Sequence, residues 1–513
     1  MTTVTPYRSP LPAGGDGFAH LVRAELTKFR TVRGWLIACG VAAVLMVAFA
    51  VLAAAGTKTS GGGGQEPPRG PDGTPVADRF TFVHQPLDGD GTLTVRVASL
   101  VGSVTPAGPP PDGAPAAPAA PPAPVTGEPE PWAKAGLMVK SGTTPGAGYA
   151  AIMVTGGHGV RMQHDFTHDV AGPATARWLR LTRTGGTVTG YASDDGASWT
   201  EVGSARVEGS TVAAGLFVAS PAHEEFEQFL GGTSSVGAMS TATAVFAGFT
   251  ATGTRPGGTW ATLAVGADDD PRGPSGGATP TGDGFEVTGS GDVAPLVTTA
   301  GPRLEHTLVG GFAALTVVVV VGVLFVTSEY RRGMLRTSLA ASPRRGRVLA
   351  AKALVIGAVT FVVGLAATVA ALVVGRALLD GQLASVATGT QVRLVVGTAA
   401  VLAVSAVFAT AVGTVLRRGA GAVAAVVVLT SLPYILATAA VLPAGPADWV
   451  LRVTPAAAFA VQQTATEFPQ VHAAYTPAFG FFPLAPWAGF AVLCAWTSAA
   501  LAAAAVLLRR RDA

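Results

Sequence analysis

His164, Asp165, His168 and Asp169 make an HDxxHD string (HDFTHD, 164–169), whose imidazoles and carboxylates are the side-chain types that hold a metal ion. On a helix the two histidines would be neighbours. On a strand they would share one face about 13 Å apart, at about 3.3 Å per residue, too far for one ion. The flanking sequence alternates as strands do, so a polar strand end and loop is the expectation. Asp268-Asp269-Asp270 offers carboxylates to calcium but reads as a solvated acidic loop. Trp178, Tyr191 and Trp199 could stack on a sugar, although aromatics of this size in a β-sandwich more often fill the core. Glu224, Glu225 and Glu227 form no pair that sequence spacing identifies as a glycosidase acid and base. The chain has no GxxxxGK[ST] and no HExxH. We therefore expect no catalytic residue, no cofactor-binding residue and no metal ligand, and not an enzyme.

The remaining chemistry is electrostatic. Thr327–Lys352 (TSEYRRGMLRTSLAASPRRGRVLAAK) sets Arg331, Arg332, Arg336, Arg344, Arg345, Arg347 and Lys352 against one acid, Glu329. It lies between two long apolar runs, and Lys and Arg beside membrane spans resist translocation, which places this loop on the cytoplasmic side. Its plain reading is a determinant of topology. Its sharper reading is a docking element, with Glu329, Tyr330, Arg331, Arg332, Gly333 and Met334 to Leu339 in a short helix ended by Pro343.

The elements that must position this loop are apolar. Only 13% of the 513 residues are charged, against about 25% in soluble chains. Six runs are long enough for the ~20 residues that cross a bilayer: 35–55, 308–326, 353–374, 394–416, 421–442 and 487–508. None of them contains a charge, so an ion-coupled transporter with a midplane carboxylate is disfavoured, and any energy input is expected from another subunit. The first run is longer than a signal-peptide core and is expected to be retained. The flanks at 417–418 and 509–511 are basic, which gives six spans with both termini cytoplasmic in a plasma membrane. Residues 1–17 read as a disordered cytoplasmic tail and 509–513 as a second tail. Residues 18–34 form a basic amphipathic helix that includes Glu25, Lys28 and Arg30, suited to an inner headgroup layer. Residues 443–486 are Pro-rich and aromatic, and read either as an aromatic interface belt or as holding, over 450–466, a short amphipathic helix that lies on or dips into the outer leaflet.

Residues 56–305 fall outside the membrane. They hold 14 Lys and Arg against 24 Asp and Glu, whereas the remainder holds 20 against 7. Membrane topology accounts for that split, and nucleic-acid binding is excluded as an explanation of the basic balance. Short alternating runs at 79–84, 92–100, 135–140, 149–155, 159–163, 177–184, 187–191, 211–219 and 244–250 predict an antiparallel sandwich with Pro/Ala/Gly-rich linkers. Tyr191–Trp199 (YASDDGASW) predicts a hairpin turning at Asp195-Gly196, with Trp199 facing inward. Cys39 and Cys494 both lie in apolar runs, so this region has no internal disulfide, and the lack of Asn rules out N-linked glycosylation.

AELTKFRTVRGW (24–35), the basic loop, TPAAAFAVQQT, PLAPWAGF and RRRDA together resemble type-two ABC transporter permeases of the actinobacterial kind. The resemblance covers about half the chain. It implies an α-helical polytopic protein in which 18–34 is an elbow helix and Glu329 to Leu339 a coupling helix, with Arg344 and Arg345 beside it. It also implies a cytoplasmic ABC ATP-binding subunit, ATP and Mg on that subunit, a second permease copy or paralogue, and short re-entrant helices before the last span. PWAKAGLMVK, YAAIMVTGGHGVRMQ, RWLRLTRTGGTVTGYASDDGASWTEVG and GLFVAS resemble concanavalin A-like lectin/glucanase sandwiches, implying a jelly roll and contact with cell-envelope glycan. The expected function is an ATP-driven export permease for a lipidic or amphipathic substrate. The alternative is a membrane-anchored glycan-binding or sensor protein that works through the sandwich.

Overall fold

The computed structural model describes residues 17–60, 67–105, 125–229, 232–254, 259–266, 276–297, 303–331, 333–334, 344–379, 383 and 386–510. Helix α1 (Phe18–Thr31) precedes α2 (Arg33–Ser60), and the chain then enters the β domain. It returns through α3 (Gly311–Arg331), α4 (Arg345–Leu379), α5 (Thr388–Leu416), α6 (Gly419–Thr430) and α7 (Leu432–Thr438). Helix α8 (Ala444–Val453), a 3-10 segment (Pro455–Gln462) and α9 (Pro486–Arg510) complete the described chain.

Among the described residues, six helical segments are long and apolar enough to span a bilayer, α6 and α7 counting as one. Apolar side chains on their outer faces are bare: Ile37, Val44 and Val362 are each more than 60% exposed. Such residues belong against lipid, where exposure costs nothing. The fifth span is broken at Ser431, because Pro433 lacks the N–H that a continuous helix would use.

Helix α5 is the axis of the bundle. Small residues bring α3 against it: a Cβ on Gly322 would lie 2.5 Å from Ala406 O, and Thr410 Oγ1 donates to Gly322 O at 3.0 Å. Pro455–Val461 is wholly buried between α5 and α9. In place of one amphipathic helix over 450–466 there is thus a short helix ending at Val453 and an inserted segment. With seven apolar residues in a row, that segment has no polar face to leave at an interface.

The β domain is a barrel-like sandwich built on one 26-residue strand, Phe80–Thr105. Its first part pairs with Thr211–Ala219 and Ala261–Val265, and its later part with Trp178–Thr184 and Gly232–Thr254. Two separate strands were expected here, from the alternating runs at 79–84 and 92–100. One ladder instead runs to Asp88 and another resumes at Gly91, with Gly89 N donating to Ser210 O between them at 3.1 Å. Strand Lys134–Lys140 is buried on both faces. Val83, Leu137, Ile152 and Leu216 fill one core, and Phe80, Phe82, Met138 and Phe217 a second.

The entry and exit of this domain meet. Val76–Asp78 pairs antiparallel with Val293–Pro295. Lys140 Nζ lies 2.7 Å from Asp78 Oδ2, and Lys134 Nζ 2.6 Å from Asp292 Oδ1, so two fully buried lysines of one central strand hold both ends. At the bundle, Gln470 Nε2 donates to Phe166 O at 3.2 Å, and Phe226 packs on His472.

Candidate functional site

The site lies where α1, α3 and α4 converge. Helix α1 buries Glu25 and Phe29 while Arg30 stays exposed, so its inward face carries one acid and one aromatic ring. Glu329 occupies the last turn of α3 and is 2% exposed. Helix α4 starts at Arg345, which puts Lys352 about two turns inside it rather than in a loop, at 1% exposed.

Lys352 Nζ donates to Glu25 Oε2 at 2.8 Å and to Glu329 Oε1 at 2.6 Å. Lys28 Nζ reaches Glu25 Oε1 at 2.9 Å and Glu329 Oε1 at 3.3 Å. Two lysines and two glutamates thus alternate in a neutral quartet. Burial works against the Lys28 ammonium, yet Glu25 and Glu329 outweigh it and hold its pKa above the ordinary lysine value. An aromatic triad caps the quartet. The Phe325 ring lies 5.9 Å from Phe29 and 5.1 Å from Trp35, both edge-on, and Lys352 Nζ is 5.0 Å from the Phe325 centroid.

Around the quartet the basic residues face outward. Arg331 and Arg344 are exposed, Arg417 lies over the Tyr330 ring at 5.1 Å, and Arg345 Nη1 donates to Leu508 O at 2.5 Å. That last bond sets the C-terminal end of α9 beside the start of α4. Gly333 stands at φ +68 with open space around it, a left-handed residue just past a helix end. Glu329, Tyr330 and Arg331 therefore continue the span helix, which stops near Gly333. Arg332, Arg336 and the other residues of 335–339 in the expected coupling helix lie outside the described residues. Glu329, expected at a docking surface, is turned inward because its carboxylate answers Lys352 and Lys28.

The sequence singles out Glu25, Lys28, Glu329 and Lys352 separately but not their union, and no local pattern in it joins Phe325 to Phe29 and Trp35. One signal was present. Glu25 and Glu329 are lone acids in flanks that are otherwise basic, and a lone buried acid needs a cation.

In the sandwich, Trp178, Tyr191 and Trp199 lie half-buried on an outer face. Leu179 and Leu181 take the core by strand alternation, so Trp178, Arg180 and Tyr191 are left outside. Trp199, expected inward, packs against the Arg180 guanidinium 3.9 Å from its ring centroid. Trp178 lies close over Gly196 and Gly248, both at positive φ, where any Cβ would come within about 3.1 Å of the indole. The expected turn is present. Asp195 Oδ1 accepts from Ala197 N and Ser198 N, both at 2.8 Å, and these bonds hold its carboxyl at about 2.

The HDFTHD string is a strand end and loop, but one folded back on itself rather than run along one strand. It is the tip of a hairpin, with His164 opposite His168, and the two rings stack 4.2 Å apart rather than lying 13 Å away. Asp165 and Phe166 make the tight turn at φ 48 and 66, which nothing in their side chains advertised. Among the described residues, no three His, Cys, Asp or Glu side chains gather as a metal set. Asp268 to Asp270 lie outside the described residues.

The profile of a family described as ABC-2 family transporter protein matches residues 200–513, more than half of the chain. The chain belongs to the ABC-2 transporter family. Membership makes it a membrane permease of an ABC transporter, a transport subunit that has no ATPase of its own and works with an ATP-binding subunit. The match takes in the quartet's Glu329 and Lys352 and every span after the first; Glu25 and Lys28 lie outside it. No match is found among curated proteins. Among solved structures, a functionally unknown protein from Saccharomyces cerevisiae is 14% identical, with 37% of this chain and 82% of that one covered at a TM-score of 0.18.

Proposed function

We propose that this chain is the membrane half of an ATP-driven exporter and that its quartet joins the elbow helix to the segment seated on the ATP-binding subunit. The observation that carries this is the position of Lys352. Its ammonium ties α1 and the end of α3 to α4, so a push on the α3–α4 connector is delivered to three helices at once. In this reading Glu329 positions the connector, while exposed Arg331 and Arg344, with Arg332, Gly333 and Arg336, meet the partner. ATP and Mg reside on that partner, and a second permease copy or paralogue completes the pathway.

The connector and both described chain ends lie at one end of the bundle, the sandwich and residues 443–486 at the other. The basic flanks support a cytoplasmic side for the first end and an extracytoplasmic side for the sandwich. The uncharged outer faces of the spans suit a lipidic or amphipathic substrate. A glycan-binding role for the sandwich draws support from the half-exposed Trp178, Tyr191 and Trp199 around Arg180.

The test is recovery of partners from membranes, comparing wild type with Arg331→Glu combined with Arg344→Glu. An ATP-binding protein recovered with wild type and lost from the double variant is the expected result. Wild type recovered under mild detergent without any ATP-binding protein would overturn the exporter reading.

A further inference from the structure

At the end of the bundle opposite the quartet, a cavity of about 640 Å3 opens between α5, α8 and the segment leading into α9. Arg393, Arg452, Asp448 and Glu467 line it, with Tyr475 and Phe481 on its walls. The walls are pinned. Arg393 Nη2 donates to Gln463 O, Phe482 N donates to Gln463 Oε1 at 3.1 Å, and Tyr475 OH donates to Phe468 O at 2.8 Å. Tyr475 meets Phe481 edge-on at 4.9 Å.

The charges in this cavity are not spent on one another. Among the described residues, no ion pair joins either arginine to Asp448 or Glu467, and the buried Arg393 Nε has no acceptor. Two guanidiniums and two carboxylates that line one space without pairing are suited to a molecule bearing both signs. A guanidinium fork fits a phosphate, and carboxylates accept from a primary ammonium.

The depth of the cavity narrows the class further. Trp449 follows Asp448 and is 66% exposed, and Trp487 follows Pro486 and is 54% exposed. Large exposed indoles at the ends of spans belong at the headgroup level of a bilayer. The cavity mouth therefore lies beside lipid headgroups, in the leaflet on the sandwich side.

We propose that this cavity binds the headgroup of an amine-bearing phospholipid, with its phosphate on Arg393 and Arg452 and its ammonium toward Asp448 and Glu467. The proposal goes beyond the exporter reading and does not depend on it. It requires the bilayer, not the ATP-binding subunit, so its failure would leave partner recovery unchanged.

The test is native mass spectrometry of the full-length protein in mild detergent, titrated with four probes. These are phosphatidylethanolamine, phosphatidylcholine, diacylglycerol, which lacks the phosphate, and glycerophosphoethanolamine, which lacks the acyl chains. Phosphatidylethanolamine is expected to be retained about tenfold better than diacylglycerol, and Arg452→Gln to remove most of that preference. Arg452 is exposed and makes no hydrogen bond or ion pair among the described residues, so this variant leaves the fold intact. Arg393→Gln should act in the same direction. Equal retention by wild type and Arg452→Gln would overturn the phosphate site. Phosphatidylcholine, whose ammonium has no N–H, held as well as phosphatidylethanolamine would overturn the roles of Asp448 and Glu467. Glycerophosphoethanolamine bound as tightly as the intact lipid would overturn the lipid source in favour of a soluble phosphate ester.

Discussion

Lys352 and Glu329 stand 23 residues apart, at opposite ends of the basic connector, yet their charged atoms meet at 2.6 Å. The connector is therefore a closed loop whose base is an ion pair. Removing one partner of a buried pair leaves an uncompensated charge, at a cost of about 3–5 kcal/mol. Lys352→Met should lower the unfolding midpoint accordingly, and adding Glu25→Gln and Glu329→Gln should recover much of the loss. Thermal unfolding in detergent reads both; a Lys352→Met protein that melts with wild type would refute the clamp.

The quartet also predicts an alkaline limb. Lys28 has a pKa raised above 10.5 in the folded state, so its stabilising contribution is fully present below that value. It is lost as pH rises through the folded pKa. Lys28→Met should lower stability at neutral pH and abolish this limb, its curve meeting that of wild type above the folded pKa. An unchanged alkaline transition in the variant would count against the Lys28 contacts.

Close packing of the last span gives a steric test. A Cβ on Gly489 would fall 2.1 Å from Ala457 O, whereas one on Gly421 meets nothing within 4 Å. Gly489→Ala should force α9 from the buried 455–462 segment and cost at least the 1–3 kcal/mol of an overpacked core. Gly421→Ala should be neutral or slightly stabilising. Comparing their melting temperatures decides it, and equal values would refute the packing.

In the sandwich, Asp195 should make its turn acid-labile. Its folded pKa of about 2 lies below the ordinary 3.8, so its contribution holds above 3.8 and is lost as pH falls through about 2. Limited proteolysis at 194–198 should rise across that window in wild type. Asp195→Asn should show raised cutting at neutral pH, with no further change attributable to this carboxyl on acidification.

The spans were readable because a run of apolar residues is a local property, and lipid enforces helix on it even at Val317–Val321. Strand positions were mostly readable for the same reason, since alternation needs only neighbours. The quartet was not, because Glu25 and Lys352 are separated by 327 positions and no local pattern pairs them. Phe166 shows a second limit. Its left-handed backbone has no glycine to announce it, and tertiary contacts with Tyr149 and Gln470 hold it there. Trp199 shows a third, because which face of a sheet is inside depends on register, and Leu179 and Leu181 set it.

The paired strands at the mouth of the sandwich make it a graft with a single stem. Antiparallel partners such as Ala77 and Ala294 stand about 5 Å apart, so the 216 residues between them return to nearly the place they left. The bundle below needs only a short bridge at that stem. An exchange of the whole domain for a few residues between 76 and 295, or for another domain with adjoining ends, should leave the spans assembled, and the membrane machinery and the grafted domain are free to diversify at different rates.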